Sequence, residues 1–313
     1  MRVCLMVEGQ EGVTWDQWLA LAQGCEEHGL EGMFRSDHYT GFHAGEAGSL
    51  DAWTTLGAIA ARTDRIRLGT LVSPATFRHP SVLARAAVTV DHVSAGRVEL
   101  GMGAGWFEQE HRGHGFPFPE ARVRIEMLAE QLEIVHRSWR EESFTFQGEH
   151  YRLEDCRALP KPVQQPHPPV IVGGQGGATS LALAAKWADE YNTVFAGPER
   201  CRELRLELEE AWKRASRSEP AVLSLMTCFL IGEDEEALTD HAKRLMDRTG
   251  RSGDPREFLL KVPEWVVGTP DRFVERLREL EAAGVERIML QHLVHDDLET
   301  VALIGREIVP QIA

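Results

Sequence analysis

Four short apolar runs in the first third of the chain begin at residues 3, 32, 66 and 97, so they recur at intervals of 29, 34 and 31 residues. A strand, a helix and a return loop fill such an interval, and successive units of this kind build a parallel sheet covered by helices. That repeat is the condition every other feature has to meet. Val3–Val7 reads as the first strand. Thr14–His28 then sets Trp15, Trp18, Leu19, Ala22 and Cys25 on one helical stripe, with Gly29 just past its end. Gly32-Met33-Phe34 leads into the polar Arg35-Ser36-Asp37-His38. Asp51 caps a helix that reaches Arg62, Ile66–Val72 is the third strand, Pro80 opens a helix to Val93, and Arg97–Met102 is the fourth strand.

The second half carries the same theme less evenly. Long helical patterns at Ala121–Trp139, Ala178–Trp187, Pro198–Arg214, Asp234–Arg248, Asp271–Ala283 and Leu298–Val309 alternate with strands at Val170–Val172, Asn192–Phe195, Val222–Ile231 and Arg287–Leu293. Residues 142–159 read as a loop with a small hairpin, and 249–266 as an irregular insertion over the pocket. Eight strands with helices between them predict an α/β fold, a (β/α)8 TIM barrel with insertions. No Pro/Gly/Ser-rich linker divides it, so residues 1–313 are expected to form one domain.

Composition narrows the functional classes. With 34 Lys+Arg against 49 Asp+Glu the formal net charge is −15, and no basic patch offers a nucleic-acid footprint. The five cysteines, at 4, 25, 156, 201 and 228, form no CxxC pair, so neither a disulfide framework nor a zinc knuckle is expected and a reducing cytoplasm is the natural setting. No run reaches about 18 apolar residues, so no membrane span is expected. A small-molecule substrate fits these limits.

In a barrel of this type chemistry collects at the C-terminal ends of the strands. Two glycine-rich loops stand there, Gly101-Met102-Gly103-Ala104-Gly105-Trp106 and Gly173-Gly174-Gln175-Gly176-Gly177-Ala178. Glycine lets backbone approach a ligand, and a helix start presents free N–H groups to an anion, so the pair suggests a cradle for a phosphorylated cofactor; tight βα turns would look the same. Neither completes a dinucleotide fingerprint, since Trp106 stands where the last glycine of the first loop would. Asp37-His38 ends the second strand, and a histidine there can move a proton near neutral pH. Glu8, Trp106, Gln291 and His292 lie at strand ends and are candidates for the substrate pocket, Trp106 by stacking on a flat group. His292, His295, Asp296 and Asp297 lack HxH or HExxH spacing, so no metal site is expected.

Taken in order, Ser36-Asp37-His38-Tyr39, Ile66-Arg67-Leu68-Gly69-Thr70-Leu71-Val72, Arg78-His79-Pro80, Gly96–Trp106 and Pro168–Gly174 resemble the bacterial luciferase-like monooxygenase superfamily, and most of all its oxidoreductases that use the deazaflavin coenzyme F420. The resemblance covers nearly the whole chain and is weakest from 197 to 265. It implies a TIM barrel holding F420, or alternatively FMN, at the strand C-termini. Asp37, Leu71, Val72, Gly103, Ala104, Gly105, Gly173, Gly174, Gln175, Gly176 and Gly177 would line the cofactor, with a non-prolyl cis peptide at Leu71–Val72. His38 would be the catalytic acid/base. The resemblance also implies a homodimer, and for a two-component FMN monooxygenase a separate reductase. A flavin-binding protein without turnover would keep the same loops. Some sugar-phosphate dehydrogenases of this family carry a glutamate where Trp106 stands, which argues for a flatter, more apolar substrate here.

Overall fold

A computed structural model describes residues 1–42 and 48–312. Eight strands, β1 (Arg2–Val7), β2 (Gly32–Arg35), β3 (Arg67–Thr70), β4 (Val98–Gly103), β5 (Val170–Gly173), β6 (Glu190–Val194), β7 (Val222–Ile231) and β8 (Arg287–His292), pair in parallel in chain order. The register Val3↔Ile288 and Leu5↔Leu290 joins β8 to β1 and closes the sheet. The chain is therefore a (β/α)8 barrel, as the repeat predicts.

Strand alternation sorts the side chains into two cores. Val3, Leu5, Val7, Leu68, Leu100, Val172, Ile288 and Leu290 point outward and pack with the helices. Cys4, Met6, Phe34, Leu71, Ile171, Met226 and Met289 point inward and plug the barrel. Fully burying a side chain of this size is worth about 1.5–3 kcal/mol, so the two layers fix both the fold and which residues can reach each end. Below the plug, at the N-terminal end, Arg287 is 1% exposed and donates to Glu99 at 2.7 and 2.8 Å, to Glu190 at 3.0 Å and to Glu31 at 3.0 Å. That ionic layer fills this end, leaving the C-terminal mouth for chemistry.

Local signals act where the sequence puts them. Asp51 accepts from the Thr54 N–H at 2.9 Å, Pro80 sits in the first turn of Pro80–Val93, and Gly29 takes φ +77° after the helix Trp15–Glu27. The hairpin is Phe144–Gln147 against Arg152–Cys156.

Three expectations change, and a further helix appears. The third strand ends at Thr70 rather than Val72: Leu71–Val72 is cis, and Ser73–Pro74 pairs anew with β4. The sixth strand begins at Glu190, whose carboxylate is drawn into the Arg287 layer, two residues before Asn192. Residues 249–266 are more than an irregular insertion. Asp254 caps the short helix Pro255–Leu259 by accepting from the Arg256 N–H at 2.7 Å, and Val266–Gly268 adds a strand beside β7. Glu108–His114 forms a seven-residue helix that no apolar periodicity announces. Among the described residues no helix is long and apolar enough to cross a membrane.

Candidate functional site

The mouth is built on β2. After Arg35 the chain leaves the sheet through Ser36, Asp37 and His38, and the His38 imidazole meets a carboxylate from the helix Glu108–His114. Glu110 Oε2 lies 2.7 Å from His38 Nδ1, while Glu110 Oε1 accepts from the Tyr39 N–H at 2.5 Å and the Thr40 N–H at 2.9 Å. The Glu110 side chain is fully buried and that of His38 is 15% exposed. Burial pulls the His38 pKa down, but the hydrogen bond and charge of Glu110 outweigh it and hold it above its usual 6.5. Burial also acts against the Glu110 charge, yet His38 and the two backbone N–H groups leave its pKa below the ordinary value. The result is an oriented imidazole whose Nε2 is free of this bond and able to give or take a proton.

Asp37 is held from one side only. Its Oδ2 accepts from Ser73 Oγ at 2.6 Å and from Arg78 Nη1 at 2.6 Å, whereas Oδ1 is buried without a hydrogen-bond partner. Arg78 bridges onward to Asp51 at 2.7 Å and to Tyr39 Oη at 3.0 Å. Burial works against the Asp51 charge, but the Thr54 N–H and Arg78 bring its pKa down to about 2, so the strut persists across the neutral range. It ties the loop after β2 to the Leu71–Val72 bend.

The two glycine loops divide the work. β4 and β5 are neighbours, with Gly101 opposite Ile171 and Met102 opposite Val172. Gly103 and Gly173 both turn their bare Cα toward Val72: a Cβ would stand 2.6 Å from Val72 Cγ2 at Gly103 and 3.1 Å from Val72 Cγ1 at Gly173. Gly101 likewise has no room for one, because it would run into the Thr70 carbonyl. These glycines seat the bend at Leu71–Val72. The later part of the second loop is different. Gly176 and Gly177 take φ +93° and +105°, and the helix Ala178–Trp187 starts at Gly177 with no side-chain cap, so its first N–H groups are left open after Gly174 and Gln175. Ala104 and Gly105 follow β4, where the Gly105 carbonyl accepts from Arg124 Nε at 3.2 Å.

Glu8 faces the same mouth from β1. Its Oε2 accepts from Gln10 Nε2 at 2.6 Å and its Oε1 from Gln291 Nε2. His292 does not join them. Gln291 points inward, so alternation turns His292 outward, where its ring stacks on Phe229 at 5.7 Å and burial brings its pKa down to about 4. The expectation that His292 lines the pocket is corrected on that geometry. Among the described residues no three His, Cys, Asp or Glu side chains gather as a metal site.

Aromatic rings form the rim. Trp106 is 64% exposed and its ring centroid is 5.8 Å from that of His38; Phe42 and Phe107 lie 5.4 and 5.2 Å from Trp106.

Residues 3–287 match the family described as luciferase-like monooxygenase. The chain belongs to the luciferase-like monooxygenase family. It is 31% identical over 314 residues to the F420-dependent glucose-6-phosphate dehydrogenase of Nakamurella multipartita, covering 93% of this chain and 91% of that one. It is 24% identical over 324 residues to the FMNH(2)-dependent dimethylsulfone monooxygenase of Pseudomonas putida, covering 93% and 86%. Its fold superposes on an F420-dependent secondary alcohol dehydrogenase in complex with an F420-acetone adduct at a TM-score of 0.83, with 19% identity over 100% and 99% of the chains. The chain is an oxidoreductase of this luciferase-like family.

Three members of this luciferase-like site escaped the sequence. Glu110 sits in Glu108-Gln109-Glu110-His111-Arg112, a run without apolar periodicity; the available signal is Gly115, in the left-handed conformation at φ +71°, ending a helix whose first turn carries two acids. Arg78 was noted only as part of a motif. Gln10 gives no pattern at all, since its contact with Glu8 depends on the turn after β1.

Proposed function

We propose that this chain uses coenzyme F420 for hydride transfer to or from a small organic substrate, with His38 as the acid/base. The observation that carries this reading is the buried Glu110 carboxylate on His38 Nδ1, set at the same mouth as the glycine-seated Leu71–Val72 bend. The residues fit a deazaflavin. Asp37 Oδ1 is a buried acceptor without a partner, suited to a ring N–H, and the open helix start at Gly177 suits an anionic tail. Reduced deazaflavin supplies a hydride when bound. His38 would give its Nε2 proton to the carbonyl oxygen of a substrate, or in the reverse sense take the hydroxyl proton, and Glu110 would balance the imidazolium charge. Phe42, Trp106 and Phe107 cover the pair and support a flat, largely apolar substrate over a sugar phosphate.

Likeness to the dimethylsulfone monooxygenase supports a second reading, a two-component oxygenase fed reduced FMN by a separate reductase. Parallel fluorescence titrations with F420 and FMN decide between them. Tight F420 binding with weak FMN binding is expected, and the reverse overturns the F420 reading. Replacing His38 by Ala is expected to cut turnover about a hundredfold or more while leaving cofactor affinity within a few-fold.

A further inference from the structure

The floor of the mouth carries a charge that the proton-transfer pair does not use. Inward-facing positions at the top of four adjoining strands, Ser36, Glu8, Gln291 and Cys228, make one hydrogen-bonded run, and its direction can be read from the carboxylate. The Glu8 carboxylate can only accept, so the Gln10 amide turns its NH2 to it and its Oε1 to Ser36, whose hydroxyl donates at 2.5 Å while accepting from the Gly9 N–H at 2.9 Å. From the other side the Cys228 thiol donates to Gln291 Oε1 at 2.6 Å, which turns the Gln291 NH2 to Glu8 as well. Both arms end on the same carboxylate as acceptor.

Glu8 is 7% exposed and, among the described residues, has no cation within ion-pair distance. Two of the cations around it are engaged elsewhere. His38, which Glu8 reaches electrostatically, is paired with Glu110, and Arg251, whose charge reaches Cys228, lies against the Phe258 ring at 5.3 Å. A nearly buried carboxylate satisfied only by neutral amides is costly to desolvate. It is also a strong attractor for a cation or a multiple N–H donor in a low-dielectric pocket, and a repeller of anions.

We infer that Glu8 is the specificity-determining anchor of the substrate pocket, selecting substrates with a cationic or amidine-like group and rejecting carboxylates and phosphates. This rests on reading the mouth as the substrate site. The two arms that fix the Gln10 and Gln291 amides hold Glu8 rigid, so the charge is presented with little reorganisation.

Three probes with one ring and three charges test it: benzamidinium, benzamide and benzoate, titrated by calorimetry into the full chain, wild type and Glu8→Gln, with F420 titrated into the same samples. Wild type is expected to bind benzamidinium at least tenfold more tightly than benzamide, and benzoate most weakly. Glu8→Gln is expected to lose at least tenfold for benzamidinium and to keep benzamide within twofold. Equal binding of benzamidinium and benzoate by wild type overturns the inference, as does an undiminished cation preference in the variant. If Glu8→Gln does not fold, the wild-type series decides alone. Normal F420 binding without cation preference removes the anchor and leaves the F420 reading standing. Cation preference without F420 binding does the opposite.

Discussion

Glu110 Oε2 stands 2.7 Å from His38 Nδ1 across 72 residues of sequence, and the same carboxylate holds the Tyr39 and Thr40 amides. One side chain thus sets the orientation of the imidazole and the path of the loop that carries it. Replacing Glu110 by Gln keeps the shape but removes the charge. Turnover is expected to fall about ten- to a hundredfold, on the scale of general acid–base effects. Cofactor affinity should hold within about twofold. The His38 titration, followed by NMR, should move down from its raised value, a shift that damage to packing alone would not produce. Unchanged turnover with an unchanged titration would remove Glu110 from its role.

The same pair sets a pH window for stability. His38 titrates above its ordinary 6.5, so its contribution is fully present below 6.5 and is lost as pH rises through the raised value. Glu110 titrates below its ordinary 4.5, so its contribution is present above 4.5 and is lost as pH falls through the lowered value. The difference in thermal midpoint between wild type and Glu110→Gln should therefore be greatest between 4.5 and 6.5 and shrink on both sides. A difference that grows steadily toward high pH would contradict the pairing.

Much of this was legible beforehand because it depends on spacing. The repeat near 30 residues fixes the barrel; Gly29, Asp51 and Pro80 act within a few residues of themselves and need no tertiary knowledge. The loops after β4 and β5 fall together because their strands are neighbours. What stayed hidden depends on which way a side chain turns. Gln291 and His292 are adjacent in sequence and face opposite sides of the sheet, and only closure of the barrel decides which one sees the mouth. Glu110 is one acid among 49 Asp+Glu residues, and nothing local separates it from a solvated one.

The glycines around Val72 give a graded test. Gly101→Ala would drive a Cβ into the Thr70 carbonyl, a backbone atom that cannot step aside, whereas at Gly103 the obstacle is Val72 Cγ2 at 2.6 Å, the end of a side chain. Overpacking of this kind costs about 1–3 kcal/mol. Gly101→Ala is expected at or above the top of that range by urea denaturation and Gly103→Ala near the bottom. Cofactor affinity should drop more for Gly103→Ala than its stability loss implies, because Val72 is displaced at the mouth. Equal stability losses, or no effect on cofactor binding, would count against the cradle.

At the far end of the barrel, Arg287 is the cation that Glu31, Glu99 and Glu190 share. Arg287→Met keeps the apolar stem and leaves three carboxylates facing one another, 24%, 3% and 5% exposed, with only Arg2 and Arg67, among the described residues, as ion-pair partners beside them. Removing one partner from a buried ionic group costs about 3–5 kcal/mol, so a loss of that size at pH 7.5 is expected from denaturant unfolding. The abandoned carboxylates would then titrate higher in the folded variant than in its unfolded chain, so protons favour the folded form. The deficit relative to wild type should accordingly narrow as pH is lowered from 7.5 to 5. The mouth lies beyond the plug of Met6, Phe34, Ile171 and Met289. Variant that remains folded should therefore bind F420 with wild-type affinity, and a deficit independent of pH would mean that the loss comes from packing instead of charge.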